Sequence, residues 1–166
     1  MTRSADTTKL GLAGTDAQLL IELLKFATVV TRPMKATVAA HHDLSVNELR
    51  VLMCLSGEGA LAGQEIAGLM SMAPMNVSRA LARLEALGWI ERVEDGHDRR
   101  RQPVQLSKAG WKAYNSILPD IRETARWLFA PLAGADRRKM LAMIAKLNAR
   151  IEAWGEEEED VSRGRR

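Results

Sequence analysis

The residues best suited to chemistry lie in two short stretches of this 166-residue chain. Asn76, Ser78, Arg79 and Arg83 place an amide, a hydroxyl and two guanidinium groups close together after Pro74. The full set of candidates in this first stretch is Pro74, Met75, Asn76, Ser78, Arg79 and Arg83. Arginine forms paired hydrogen bonds with guanine or phosphate, and asparagine pairs with the edge of adenine. These residue types predict contacts with double-stranded DNA.

The second stretch is an acid followed by consecutive arginines. Its residues are Asp98, Arg99, Arg100 and Arg101. Arginines on a flexible tip suit a narrow minor groove, where the negative potential is strong. Asp98 is close enough in sequence to orient the Arg100 guanidinium through a paired hydrogen bond.

The spacing of apolar residues predicts a helix from Pro74 to Gly88 that presents the first stretch outward. A short helix over about Gly63–Met70 precedes it, and a capping box at Ser45 and Glu48 opens an earlier helix. The pattern then changes to alternation, which predicts a hairpin carrying the second stretch at its tip. Pro103 indicates an edge strand or a break in the pairing of that hairpin.

Long helices are predicted on both sides of this central part. The first covers about residues 16–42, broken near Thr31 by Pro33, and two more cover about 107–129 and 135–154, with a kink at Pro119. The first is apolar nearly all round, which favours burial against a second subunit. Residues 1–15 are predicted to be a loose arm and 155–166 a charged disordered tail.

Composition excludes several classes of protein. A single cysteine, Cys54, rules out an internal disulfide and a cysteine-rich zinc site. Aromatic residues make up only 4% of the chain and are unclustered, which argues against a single-strand binder. No apolar run is long enough for a membrane span and no signal pattern is present, so a cytoplasmic protein is expected.

Charge and possible active-site residues complete this picture. Five consecutive acids end at Asp160, so the rest of the chain is more basic than its net charge of +3 suggests, as suits a polyanionic partner. His41, His42 and Asp43 are the sole candidate catalytic cluster, and they are merely sequence neighbours. We therefore expect neither an enzyme nor a metal or cofactor site.

Several motifs together resemble the multiple-antibiotic-resistance regulator (MarR) family. They are the stretches 66–79, 84–90 and 104–110, together with Asp98-Arg99-Arg100. Ser107 stands where that family usually has threonine. The resemblance implies a mainly α fold with a small β-hairpin wing. Its winged helix-turn-helix would cover about residues 45–110, within a single domain over 16–154. The helices at about 16–42 and 107–154 would form a homodimer.

The same resemblance implies a function. Members of this family bind pseudo-palindromic operators, mostly as repressors, and many release DNA when a small aromatic or phenolic carboxylate binds. It implies that Arg79 lies on the recognition helix, that Arg100 enters the minor groove and that Asp98 holds Arg100. Arg32, His41, Arg50 and Trp111 are candidates for the effector pocket. Ala73 departs from the usual capping residue, which leaves a backbone donor for phosphate, and Met75 is bulkier than usual and could read a thymine methyl.

Three alternatives stay open from the sequence. Cys54 is either an oxidant sensor or a buried structural thiol, and its apolar neighbours favour the second. Arg83 either contacts a phosphate or is solvated. The chain as a whole is either a ligand-responsive repressor or a winged-helix module that binds DNA or protein without an effector.

Overall fold

The computed structural model describes residues 15–93 and 102–163, with side chains up to Trp154. The fold is mainly helical with one antiparallel hairpin, as predicted. In chain order the elements are α1 (Thr15–Val29), α2 (Thr31–Pro33), a π-helix (Met34–Ala39), α3 (Val46–Glu58), α4 (Gly63–Leu69), α5 (Pro74–Ala86), β1 (Ile90–Arg92), β2 (Val104–Leu106), α6 (Lys108–Leu128) and α7 (Gly134–Arg163).

The core lies around α3, which carries more buried side chains than any other described helix. The buried residues of α3 are Leu49, Val51, Leu52, Cys54 and Leu55. Its start is the predicted capping box: the Ser45 hydroxyl accepts from the Glu48 backbone N–H at 3.2 Å, and the Glu48 carboxylate accepts from the Ser45 N–H at 2.8 Å. Because both orphan donors are satisfied, the first turn of α3 is well defined.

The hairpin is short and is tied to the helical body at its base. Ile90 pairs with Leu106 and Arg92 with Val104 in an antiparallel register. Val104 also exchanges both backbone hydrogen bonds with Leu61, at 2.9 and 3.0 Å. Pro103 precedes β2 and has no N–H to offer, so it accepts from the Val93 N–H at 2.9 Å but cannot complete the pair.

The start of α6 packs directly on the chain between α5 and β1. The Ser107 hydroxyl donates to the Gly88 carbonyl at 2.6 Å and accepts from the Gly110 N–H at 3.0 Å, so Ser107 caps α6. A Cβ on Gly110 would lie 1.8 Å from the Trp89 carbonyl oxygen. This close approach explains why a glycine stands three residues after the cap.

The structure corrects one expectation about the terminal helices and refines the bounds of the others. Helix α7 continues to Arg163, so the segment after Gly155 is helical rather than a disordered tail as far as that residue. Glutamate is a good helix former, and the acidic run extends the helix despite its like charges. Helix α6 runs through Pro119 as one helix, whereas the first helical region breaks at Val30 and then becomes a π-helix after Pro33.

The chain divides into two compact units between Thr124 and Ala125. The first contains α1 to α5, the hairpin and most of α6, and it holds every residue of the buried cluster around α3. The second contains the end of α6 and α7. Among the described helices, none is both long and apolar enough to cross a membrane.

Candidate nucleic-acid interface

Helix α5 separates a buried face from an exposed one. Val77, Ala80 and Leu84 face the core. The α5 residues predicted to reach DNA are all exposed, and they are Pro74, Met75, Asn76, Ser78, Arg79 and Arg83. Met75 is an apolar side chain left 62% exposed at the first turn, where a thymine methyl would be a suitable contact. The exposed face therefore offers donors, acceptors and an apolar group.

The N-terminus of α5 is open to an anion. Pro74 occupies the first helical position, and Ala73 provides no side-chain hydrogen bond as a cap. The Asn76 N–H is bonded to the Ala73 carbonyl at 2.8 Å. A helix start without a capping side chain keeps its partial positive charge available, which favours a phosphate there.

The turn before α5 is held from the core side. The Arg50 guanidinium of α3 donates to the backbone carbonyl of Met70. Ser71 adopts a left-handed conformation with φ of 46°, and Met72 is buried. These contacts define how α5 leaves α4, so Arg50, predicted as an effector-binding residue, has a structural partner here.

An open cleft of about 830 Å³ separates α5 from the hairpin. Its α5 wall includes Ser78, Ala82 and Glu85, and its hairpin wall includes Arg92 and Gln102. The Arg92 Nε lies 3.0 Å from one Glu85 carboxylate oxygen, and its guanidinium also donates to the Gln102 side-chain oxygen. Sequence reasoning missed this group, since no periodic spacing links a helix end to a following strand.

Arg83 has an acidic neighbour. Its guanidinium lies 3.6 Å from a carboxylate oxygen of Asp43, which sits in a left-handed turn with φ of 52°. Both side chains remain substantially exposed, so the pair is weak and leaves donors of Arg83 unused. This contact does not decide between the two alternatives for Arg83.

The predicted hairpin tip lies outside the described residues. Asp98, Arg99, Arg100 and Arg101 all belong to the stretch 94–101. Their roles, including the pairing of Asp98 with Arg100, therefore stay predictions. The strands that lead into and out of this stretch are described, and they end beside the cleft.

The predicted effector residues make contacts with different partners. Trp111 is half-exposed and meets the Tyr114 ring edge-on, with centroids 6.2 Å apart. Arg32 is exposed on α2. His41 Nδ1 lies 3.4 Å from Asp120 Oδ2. Among the described contacts, none joins one of the four predicted effector residues to another.

Asp120 is a second residue that sequence reasoning missed. Its Oδ2 atom lies 3.0 Å from His42 Nε2 as well as near His41, so one carboxylate of α6 meets two neighbouring rings. The adjacent histidines were visible in the sequence. Their common acidic partner lies 78 residues further along the chain and could be found only from the fold.

Cys54 behaves as a structural thiol. It is buried in α3, and burial, reinforced by the Glu58 carboxylate, raises the pKa of its thiol. A raised pKa lowers the thiolate fraction, and the thiolate is the reactive form. This supports the structural alternative over an oxidant sensor.

The arrangement of α3, α4, α5 and the hairpin defines a winged helix-turn-helix, a class of DNA-binding fold. Residues 44–101 match the family model of the MarR family. This segment therefore belongs to the MarR family. Its relatives are transcriptional regulators rather than enzymes, which agrees with the sequence analysis.

Individual relatives agree with this assignment. The helix-turn-helix-type transcriptional regulator YwhA of Bacillus subtilis strain 168 is 28% identical over 75% of this chain and 88% of its own length. A MarR family regulator from Silicibacter pomeroyi is 26% identical, with a TM-score of 0.65 over 87% of this chain and 94% of its own. NadR in complex with 4-hydroxyphenylacetate shares the fold at 20% identity, with a TM-score of 0.65 over 82% and 94% of the two chains.

A metal site is a separate question from DNA binding. Within residues 15–93 and 102–154, whose side chains the structure describes, no cluster of three or more histidine, cysteine, aspartate or glutamate side chains is arranged to hold a metal ion.

Proposed function

We propose that this chain is a homodimeric repressor that binds a pseudo-palindromic operator in double-stranded DNA. The single observation that supports this best is the exposed face of α5, with Asn76, Ser78 and Arg79 displayed beside an open cleft. One helix fits a B-DNA major groove about 12 Å wide. The stretch 94–101, with its arginines, follows β1 and would extend to the neighbouring minor groove.

The proposed dimer is supported by apolar side chains that one chain leaves uncovered. Helix α1 has no buried residue in the single chain. Its leucines are each at least 40% exposed, and they are Leu19, Leu20, Leu23 and Leu24. Helix α7 exposes a further apolar set, comprising Leu141, Met143, Ile144, Leu147, Ile151 and Trp154. Such exposure is typical of surfaces that a partner covers. A two-fold dimer would place two recognition helices about 34–36 Å apart, matching one DNA turn.

The effector is proposed to be a small aromatic or phenolic carboxylate. Support comes from the resemblance of the sequence motifs to the family and from NadR, whose complex contains 4-hydroxyphenylacetate. Arg32, His41, Arg50 and Trp111 stay the candidate contacts, although Arg50 would have to keep or exchange its bond to Met70. For release to occur, the effector must bind the DNA-free conformation more tightly than the DNA-bound one.

DNA binding is tested by fluorescence anisotropy with DNA from upstream of the chain's own gene. Arg79→Ala and Arg100→Ala are each expected to weaken binding by about 1–3 kcal/mol if they contact bases, or to lower the salt slope by about one if they contact phosphate. Arg122→Ala removes an exposed arginine from α6, outside α5 and the hairpin, and is the matched control. Binding without sequence preference would instead favour the architectural alternative.

Dimerisation is tested by sedimentation equilibrium. Leu20→Glu and Leu147→Glu introduce charges into the exposed apolar faces of α1 and α7 and are expected to shift the chain towards monomer. Leu69→Glu is the matched control, because Leu69 on α4 is 59% exposed, as is Leu20. Monomeric wild type at micromolar concentration would contradict the dimer.

The effector class is tested by thermal unfolding with 4-hydroxyphenylacetate and related aromatic acids. A ligand at about 100 times its Kd stabilises the native state by about 2.7 kcal/mol. The acid that stabilises the wild type is expected to release operator DNA and to lose its effect on Arg32→Gln or His41→Gln. Stabilisation without release would contradict an effector role.

A further inference from the structure

Arg92 joins three segments of the winged helix. It lies at the end of β1, its Nε contacts one Glu85 oxygen at 3.0 Å and its second terminal nitrogen lies 3.4 Å from the other. The remaining terminal nitrogen donates to Gln102, which precedes β2. One planar guanidinium thus connects the last turn of α5 with both sides of the hairpin. Its fork geometry suits such multiple bonding, which a lysine could not reproduce.

The bridge stands beside the last backbone pair of the hairpin within the described residues, that of Val93 and Pro103. Pro103 has no N–H, so it can only accept, and the Val93 N–H donates to its carbonyl at 2.9 Å. Beyond Val93 the chain enters the stretch that carries the arginines. Because Pro103 cannot return a backbone hydrogen bond to Val93, the side-chain contacts of Arg92 add a second connection at this pair.

The bridge also lines the cleft beside the proposed reading face. Glu85 belongs to the α5 wall, and Arg92 and Gln102 belong to the hairpin wall. Ser78 and Ala82, on the same side of α5 as Glu85, are small and leave the cleft open. The width of the cleft is therefore the distance between the hairpin and the proposed recognition helix α5.

We propose that Arg92 is a positioning residue that, through Glu85 and Gln102, holds the hairpin at the spacing from α5 needed for simultaneous major- and minor-groove contacts. This inference rests on the proposed DNA binding. Arg92 acts here through protein partners, because its nitrogens already face the Glu85 carboxylate and the Gln102 oxygen.

The sign of one mutational effect separates this role from general electrostatics. Glu85 places a negative charge near a surface proposed to meet phosphates, so removing it would strengthen DNA binding if bulk charge decided the outcome. The positioning role predicts the reverse. Glu85→Gln is expected to weaken operator binding by about twofold to fivefold, the range for an exposed ion pair.

Glu91→Gln is the matched control. Glu91 is an exposed carboxylate on the same strand, and it accepts from the Gln105 side chain at 2.8 Å rather than from Arg92. We expect this variant to bind operator as well as or better than the wild type. The double variant Glu85→Arg with Arg92→Glu restores an oppositely charged pair and is expected to recover part of the lost affinity.

A second measurement avoids DNA altogether. Amide hydrogen exchange at Val93 in the free protein is expected to be faster in Glu85→Gln and Arg92→Lys, and unchanged in Glu91→Gln. Unchanged exchange in the first two variants would overturn the positioning role. If exchange accelerates but even the wild type fails to bind any operator DNA, the bridge is supported while the proposed function fails.

Footprinting on the operator then locates the effect. Weaker protection of the minor-groove flanks, with protection of guanine N7 in the major groove retained, supports the positioning role for Glu85→Gln. An equal loss at both sites, or tighter binding by Glu85→Gln, would overturn it. Normal thermal unfolding of these exposed variants is the check that each one is folded.

Discussion

The central winged helix and the helices at the two ends of the chain differ in how far their apolar side chains are buried. Helices α3 to α5 and the hairpin surround a core that includes Leu52, Ile66 and Leu84, each fully buried. Helix α1 has no buried residue, and α7 leaves Leu147 47% and Ile151 64% exposed. The central part is therefore stabilised by its own interior, whereas α1 and α7 expose apolar faces that the proposed dimer would cover.

Truncating one leucine in each region gives the largest expected contrast. Leu84→Ala removes a fully buried side chain and is expected to lower the free energy of unfolding by about 2–5 kcal/mol. Leu147→Ala, in dilute monomer, should change it by less than about 0.5 kcal/mol.

Urea unfolding at two protein concentrations checks this contrast. The loss from Leu84→Ala should be present at both, and the loss from Leu147→Ala should appear only at the concentration where the proposed dimer forms. An equal, concentration-independent loss for both variants would remove the distinction between the two regions.

Gly110→Ala tests how tightly the central part is packed where α6 joins it. The added Cβ would lie 1.8 Å from the Trp89 carbonyl oxygen, and the neighbouring Trp89 atoms belong to the backbone and cannot simply rotate away. Overpacking of this kind costs about 1–3 kcal/mol, and we expect the upper end. Thermal unfolding measures the loss, with Gly57→Ala as the control because its Cβ would meet nothing within 4 Å. A smaller loss for Gly110→Ala than for Gly57→Ala would contradict this account.

Thr124 tests a polar contact at the edge of the first unit. Its hydroxyl lies 2.7 Å from that of Thr37, which itself donates to the Pro33 carbonyl at 2.8 Å. Thr124→Val keeps the shape and removes the hydrogen bond, so we expect a loss of about 1 kcal/mol in the free energy of unfolding. Thr28→Val, at an exposed position on α1, should cost less than about 0.5 kcal/mol. Chemical denaturation that ranks these two variants in the opposite order would contradict the prediction.

The smallest expected effect is a change of stability with pH caused by Cys54, which lies in the core of the central winged helix. Burial raises the pKa of its thiol above the ordinary 9.0, so below that pH the thiol is neutral in both the folded and unfolded states and its contribution to stability is complete. As pH rises, the unfolded thiol ionises first, and stability falls.

The rate at which a disulfide reagent labels Cys54 tests whether the thiol is buried and neutral. Labelling of Cys54 at neutral pH should be slow in the native protein and complete in denaturant, because the buried thiol carries little thiolate. The Cys54→Ser variant should lose the added pH dependence above 9.0. Rapid labelling of the native protein at pH 7 would reopen the sensor alternative.

Local patterns in the sequence were enough to predict the elements that carry the proposed site. The capping box at Ser45, the proline at the start of α5 and the end of that helix close to Gly88 were predicted and confirmed, and Gly88 has a left-handed backbone. Each depends on residues within a few positions of one another, where backbone geometry restricts the choices. The predicted end of α7 was wrong. The acidic composition indicated disorder, but glutamate has a high helical propensity and the helix continues to Arg163.

The sequence by itself determined which side chains face outward on α5 and that a hairpin follows it, since both are set by spacing along one segment. The tertiary structure alone decided that Arg92 meets Glu85 and Gln102, that Arg50 holds the Met70 carbonyl and that Asp120 meets two histidines. These contacts join residues on different elements. No periodicity specifies them, because the crossing of helices and strands sets their distances only once the core has packed.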